Sequence, residues 1–332
     1  MKRKFIICFL CSGLLMGCST NNKTEEVIKE KEAKVFIMCG QSNMEGNTNF
    51  SRLNQFCADS DEHDYNSYKE GFSNVKISFY NHYDKNNHNY SNITNPTEGL
   101  FVDTGLNQGV RVNNFSGPEV GLAERLNDLA SEDEPIFLIK YTSGGTGFLN
   151  TTRDGNGNWN WMSTSNKNPG YLYTSMCEFV QTNLDLIEEE YNIKPTIKGF
   201  LWMQGEHDAC NATYAPLYGK NLKNMITDFR EEFKDYASNS DGNNIAFIDA
   251  EIADNGTWAY AYMVNNLKAQ LALEDNNYLI KTNSEGLDLK VGSEEHGGGD
   301  MYHYTIDSMI RLGNAYGDTI IEEGLLKWKK DL

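Results

Sequence analysis

The sequence predicts an α/β protein in which helices cover both faces of a mostly parallel central sheet, a three-layer sandwich. Short apolar runs alternate with segments of helical periodicity along the chain, the pattern of a parallel sheet built from β/α units. The first run, residues 35–38, is uninterrupted, as expected of a strand buried on both faces. Polar, glycine-containing stretches follow several runs, where an α/β sheet opens its ligand crevice beyond the carboxyl ends of its strands.

Taken in order, the strand-like runs are 35–38, 75–80, 135–141, 197–203, 245–250 and 278–282. A first helix is expected over 120–129, opening after Gly117-Pro118-Glu119, whose proline suits a helix start. A second is marked by Met176, Phe179, Val180, Leu184 and Ile187 at helical spacing on one face. A third covers about 217–233, a fourth carries Val264, Leu267 and Leu271, and the last runs from about 304 to 325. Residues 49–116 hold one convincing strand, and 142–170 are rich in glycine and asparagine. Loops this long are more often functional than idle, and both should rim the crevice. With no internal repeat and no proline-rich linker, residues 34–328 read as one domain.

The 332 residues are 39% hydrophobic and 23% charged, a globular balance. Residues 1–17 read as an export signal: Lys2, Arg3 and Lys4, then an apolar core from Phe5 to Leu15 too short to span a membrane. Removing those three positive charges takes the net charge from -18 to -21, which excludes nucleic acid and anionic lipid surfaces as expected partners. Residues 18–33 are polar and aperiodic, as a flexible tether would be. Cys39, Cys57, Cys177 and Cys210 lie in the expected domain, and four cysteines allow three pairings between which sequence does not choose. For Cys39, at the end of a buried strand, a free thiol and a bridge are equally compatible.

Ser42 follows the first strand directly, in Gly40-Gln41-Ser42-Asn43-Met44. The G-x-S-x-G nucleophile elbow is not met, because Met44 replaces the second glycine. Acyl transfer would also need a base, a group to orient it and donors for the oxyanion. In Asp300-Met301-Tyr302-His303 a carboxylate three residues before an imidazole can hold Nδ1 and leave Nε2 free for Ser42. His296 is the rival base, less easily held still before three glycines. Gln204, in Trp202-Met203-Gln204-Gly205-Glu206, lies at a strand end where a side-chain amide can donate to an oxyanion. Glu206 and Asp208 read as anchors of that loop. Neither Glu206-His207-Asp208 nor Glu62-His63-Asp64 offers enough convergent ligands for a metal site. Trp159 and Trp161 are candidates for stacking on sugar faces, with a core role the alternative.

Gly40-Gln41-Ser42-Asn43-Met44 resembles the first block of the SGNH hydrolases, in the branch of sialate O-acetylesterases and carbohydrate esterase family six acetylxylan esterases. Trp202-Met203-Gln204-Gly205-Glu206 resembles the third block of that branch and Asp300-Met301-Tyr302-His303 the fifth. Ser143-Gly144-Gly145-Thr146 resembles the second, which assigns Gly144, with Gly145 as rival, as an oxyanion donor beside Ser42 N–H and Gln204. The resemblance implies a flavodoxin-like three-layer fold. It also implies a cofactor-independent, metal-independent serine esterase with Ser42, Asp300 and His303 as triad, removing O-acetyl groups from sialic acid or xylan-type glycans. A general SGNH lipase or thioesterase, or a non-catalytic glycan-binding lipoprotein, are the alternatives. Leu15-Met16-Gly17-Cys18 resembles a bacterial lipobox, which implies lipidation of Cys18 and an extracytoplasmic, membrane-anchored position in the cell envelope.

Overall fold

The computed structural model describes residues 31–59, 63–81, 100–110, 114–130, 134–149, 158–239, 242–282, 287 and 300–326. The expected leader, Cys18, Glu62 and residues 296–299 lie outside them. In chain order the elements are β1 (Glu32–Gly40), α1 (Ser42–Glu45), β2 (Thr48–Asn49), α2 (Leu53–Ala58), α3 (Tyr65–Glu70), β3 (Phe72–Asn81), β4 (Val102–Thr104), β5 (Phe115–Ser116) and α4 (Glu119–Asn127). There follow β6 (Ile136–Thr142), α5 (Tyr171–Tyr191), β7 (Lys194–Met203), α6 (Glu206–Ala209), α7 (Tyr218–Glu232), β8 (Ala246–Ala250), α8 (Ala261–Glu274), β9 (Tyr278–Thr282) and α9 (Ile306–Glu322).

Seven strands form one sheet in the order β4-β3-β6-β1-β7-β8-β9, parallel except for the short edge strand β4. Each of the six expected runs is a strand. The 49–116 segment holds more than the one strand expected there, adding α2, α3, β4 and the β2–β5 ribbon. Numbered in chain order among themselves, β6-β1-β7-β8-β9 follow the 2-1-3-4-5 order of flavodoxin-like sheets, and β3 with β4 extends the sheet beyond β6. The connection from Gly40 to Phe72, carrying α1 to α3, gives the chain the reach to step past one strand position.

Neighbouring residues of β6 show why there are helices on both faces. Side chains alternate along a strand: Lys140 reaches Glu119 of α4, while Tyr141 packs against Phe179 of α5. Central β1 is buried on both sides through Phe36, Ile37, Met38 and Cys39. Each of the larger side chains there contributes about 1.5–3 kcal/mol by leaving water. Cys39, Cys57, Cys177 and Cys210 are all free thiols. Among the described residues no helix is long and apolar enough to cross a membrane.

Two features of this frame position the site. The strands β6, β1 and β7 are adjacent and end level, with Gly40 opposite both Thr142 and Met203. The turns after them, carrying Gly144, Ser42 and Gln204, therefore meet at one edge of the sheet. Meanwhile α9, which follows His303, packs against α4 with backbones touching: a Cβ on Gly121 would lie 2.1 Å from Ile310 O, and one on Gly313 2.1 Å from Pro118 O.

Candidate active site

The serine turn begins at Gly40, whose φ of +146° and contact with β7 leave no room for a side chain; a Cβ would lie 2.0 Å from Met203 O. Gln41 N then donates to Met203 O at 3.0 Å, and one helical turn starts at Ser42. That turn ends on a buried ion. Lys140 Nζ donates to Glu45 O (3.0 Å), Gln108 O (2.9 Å) and Glu119 Oε2 (2.8 Å), and Glu119 Oε1 accepts from Gly117 N at 2.7 Å. Lys140 and Glu119 are wholly buried. Gly117-Pro118-Glu119 thus supplies the anion for the lysine that holds the last carbonyl of the serine turn.

The histidine is held from two sides. Asp300 Oδ1 accepts from Tyr302 N (3.0 Å) and His303 N (3.2 Å), and Asp300 Oδ2 lies 2.8 Å from His303 Nδ1. That contact assigns the proton to Nδ1 and leaves Nε2 as the basic nitrogen. From the other side, Asn43 donates through Nδ2 to Tyr302 O (3.3 Å) and accepts at Oδ1 from Tyr304 N (3.3 Å), bracketing His303. Asn43 Nδ2 also donates to Glu206 Oε1 at 2.9 Å. The residue after Ser42 therefore fixes the segment that carries the imidazole, a role the sequence reading did not identify.

Ser42, Gly144 and His303 face one cavity of about 400 Å³, within the range of small-molecule sites. Gly144 runs beside the serine, since a Cβ placed on it would lie 3.3 Å from Ser42 Cβ. Glu45, Glu206, Trp258 and Tyr302 also line this space. Gln204 does not. It is fully buried, and its Nε2 donates to Thr146 O (3.0 Å) and Asp208 Oδ2 (2.8 Å), so the expected oxyanion role is corrected to a supporting one. Its carbonyl oxygen is held in turn by Tyr218 OH (2.9 Å) and by Lys268 Nζ (2.8 Å), a second buried lysine, paired with Asp249. Trp159 and Trp161 are corrected likewise: both are buried, donating to Ser143 Oγ and Thr146 Oγ1 beneath the Gly144 loop. Among the described residues, Trp258 and Tyr302 are the tryptophan and tyrosine that line the cavity.

Burial pushes the Glu206 carboxyl up, against the pull of the Asn43 amide and the His303 ring. It pushes Asp208 from 3.8 to about 6, opposed by the Gln204 amide and Phe148 N–H. Asp249 is raised to about 6 the same way, against Lys268. A carboxyl with a raised folded-state pKa stabilises the fold fully only below its unfolded value, and this contribution is lost as pH rises through the folded one. These groups should make stability fall between about pH 4 and 6. Asp208→Asn is expected to flatten that slope, measured as urea midpoint against pH.

A hydroxyl on a tight turn, an imidazole oriented by a carboxylate and a glycine backbone at one cavity are the parts of an acyl-transfer site. Comparison with known proteins agrees with that chemistry. A curated relative, a probable carbohydrate esterase of Arabidopsis thaliana, is 26% identical over 213 residues, 64% of this chain and 64% of its own length. A crystal structure of an Arabidopsis thaliana protein superposes with a TM-score of 0.58 at 20% identity, covering 87% of this chain and 98% of that one. NanS gives 0.58 at 13% identity, with 90% and 99% covered. A carbohydrate acetylesterase from Xanthomonas citri gives 0.50 at 19%, with 87% and 57% covered. These likenesses establish the fold. The sequence model of the family described as carbohydrate esterase, sialic acid-specific acetylesterase, matches residues 32–322, and the chain belongs to that family.

Proposed function

We propose that the protein is a serine esterase that removes O-acetyl groups from carbohydrate. The observation that carries this reading is the joint opening of Ser42 and His303 into one cavity, with Asp300 on His303 Nδ1 at 2.8 Å. His303 Nε2 takes the Ser42 proton as Oγ attacks the acetyl carbonyl. The oxyanion falls to the backbone N–H groups of Ser42 and Gly144. His303 then protonates the departing sugar oxygen, and the same ring activates water to release acetate from acetyl-Ser42. Gln204 supports the hole from behind by fixing the Thr146 carbonyl. Acetate release from acetylated xylan and from O-acetylated sialic acid tests the reading; no release from either would refute it.

Cys18 completes the proposal as the site of lipid attachment, placing the enzyme at the outer side of a bacterial membrane. Cys18→Ser is expected to move the protein from the membrane fraction to the soluble one, with activity on a soluble acetyl ester retained. Unchanged partitioning would contradict the anchor.

A further inference from the structure

We infer that Gln41 is the side-chain donor of the oxyanion hole, its Nε2 hydrogen-bonding the developing negative oxygen beside the backbone N–H groups of Ser42 and Gly144. This rests on the esterase function proposed above. Gln41 stands at the N-cap of α1, immediately before the nucleophile, yet its side chain makes no capping hydrogen bond to the turn it opens. It is committed elsewhere. Gln41 Oε1 accepts from His207 N at 3.3 Å, and Gln204 Nε2 lies 3.5 Å from the same oxygen. A backbone N–H can only donate, so His207 N fixes which end of the Gln41 amide is oxygen. The other end, Nε2, is then a donor that meets no acceptor among the described residues. Gln41 is 4% exposed and lines the cavity together with Ser42, Gly144 and His303. Donors this deeply buried are nearly always paired, so one left open on a cavity wall points to an oxygen of the bound ester.

The sheet order is a second, independent observation. Strand β1, which ends at the serine turn, lies between β6 and β7. Gly144 follows β6, while the Gln41 amide is tied to His207 and Gln204 on the turn after β7. Ser42 is therefore flanked by a backbone donor from one neighbouring turn and by an amide donor anchored on the other. Gln204 stands one step behind, its own amide taken by Thr146 O and Asp208 Oδ2, and its approach to Gln41 Oε1 helps to hold the front amide in place. A donor oriented in this way before the reaction, and shielded from water, acts most strongly on charge that appears only in the transition state.

The test uses two variants with p-nitrophenyl acetate as substrate. Gln41→Glu keeps the acceptor for His207 N and replaces the donor by an oxygen; Gln41→Ala removes both. At about pH 8, above the ordinary range of a glutamate carboxyl, each is expected to lower kcat by about 10²–10³, the loss typical of one oxyanion donor. Acylation and deacylation both pass through a tetrahedral oxyanion, so the burst rate should fall together with kcat while KM moves by less than about threefold. Thermal unfolding establishes that each variant is folded, and Gln41→Glu decides alone if Gln41→Ala does not fold. A folded variant with kcat within about threefold of wild type, or with its loss in KM instead, overturns the inference while the esterase reading stands. Failure of both variants to fold would assign Gln41 to structure and overturn it too. If the wild-type protein cleaves no acetyl ester in a Ser42-dependent way, the inference and the esterase reading fail together.

Discussion

Ser42→Ala is expected to lower kcat on a small acetyl ester by about 10⁶, the cost of removing the nucleophile from a serine hydrolase. Ser42 is 7% exposed at the start of α1, and among the described residues its hydroxyl donates no hydrogen bond to the turn. The turn is held instead by the Gly40–Met203 contact, the Gln41 N–Met203 O bond and Lys140 under Glu45 O. The variant should therefore unfold at nearly the wild-type temperature while its activity is lost. A folded variant retaining more than a small fraction of wild-type kcat would remove Ser42 from the reaction.

Lys140→Met should have the opposite signature, a loss of stability of about 3–5 kcal/mol, because it leaves Glu119 as an uncompensated buried charge. It also strips the donor from Glu45 O and Gln108 O, both in the buried floor of the site. Replacing Glu119 by Gln in the same chain should return part of that stability, so the two losses are not additive. Urea unfolding of the two single variants and the double variant measures this. Additive losses would mean that the pair at 2.8 Å contributes nothing as a pair.

Much of the sheet was legible because its strands are continuous apolar runs, and such runs survive without knowledge of their neighbours. The β2–β5 ribbon and β4 were not, since strands of two or three residues have no period to read. In the candidate site, the position of Ser42 and the Asp300–His303 contact were legible because both are local: one follows a strand, and the other joins residues three apart. Gln204 was placed correctly at the end of β7 but given the wrong partner, because sequence does not reveal which acceptor an amide meets after folding. Asn43 was missed, and Glu206 was read only as an anchor of its own loop, for the same reason: the two are joined across 163 residues. Lys140 carried a usable signal. A single lysine inside the run Ile136-Phe137-Leu138-Ile139-Lys140-Tyr141, on a strand buried on both faces, must find an anion.

The central claim is an acetyl group carried on Ser42, and a quenched-flow experiment with p-nitrophenyl acetate tests it most directly. Activated esters acylate quickly, so deacylation limits turnover and the covalent species accumulates. The expected result is a burst of p-nitrophenol equal to the enzyme concentration, with the quenched protein acetylated on the peptide bearing Ser42 and Ser42→Ala showing neither. Steady turnover without a burst, or acetyl found on another residue with Ser42 unmodified, would contradict the account.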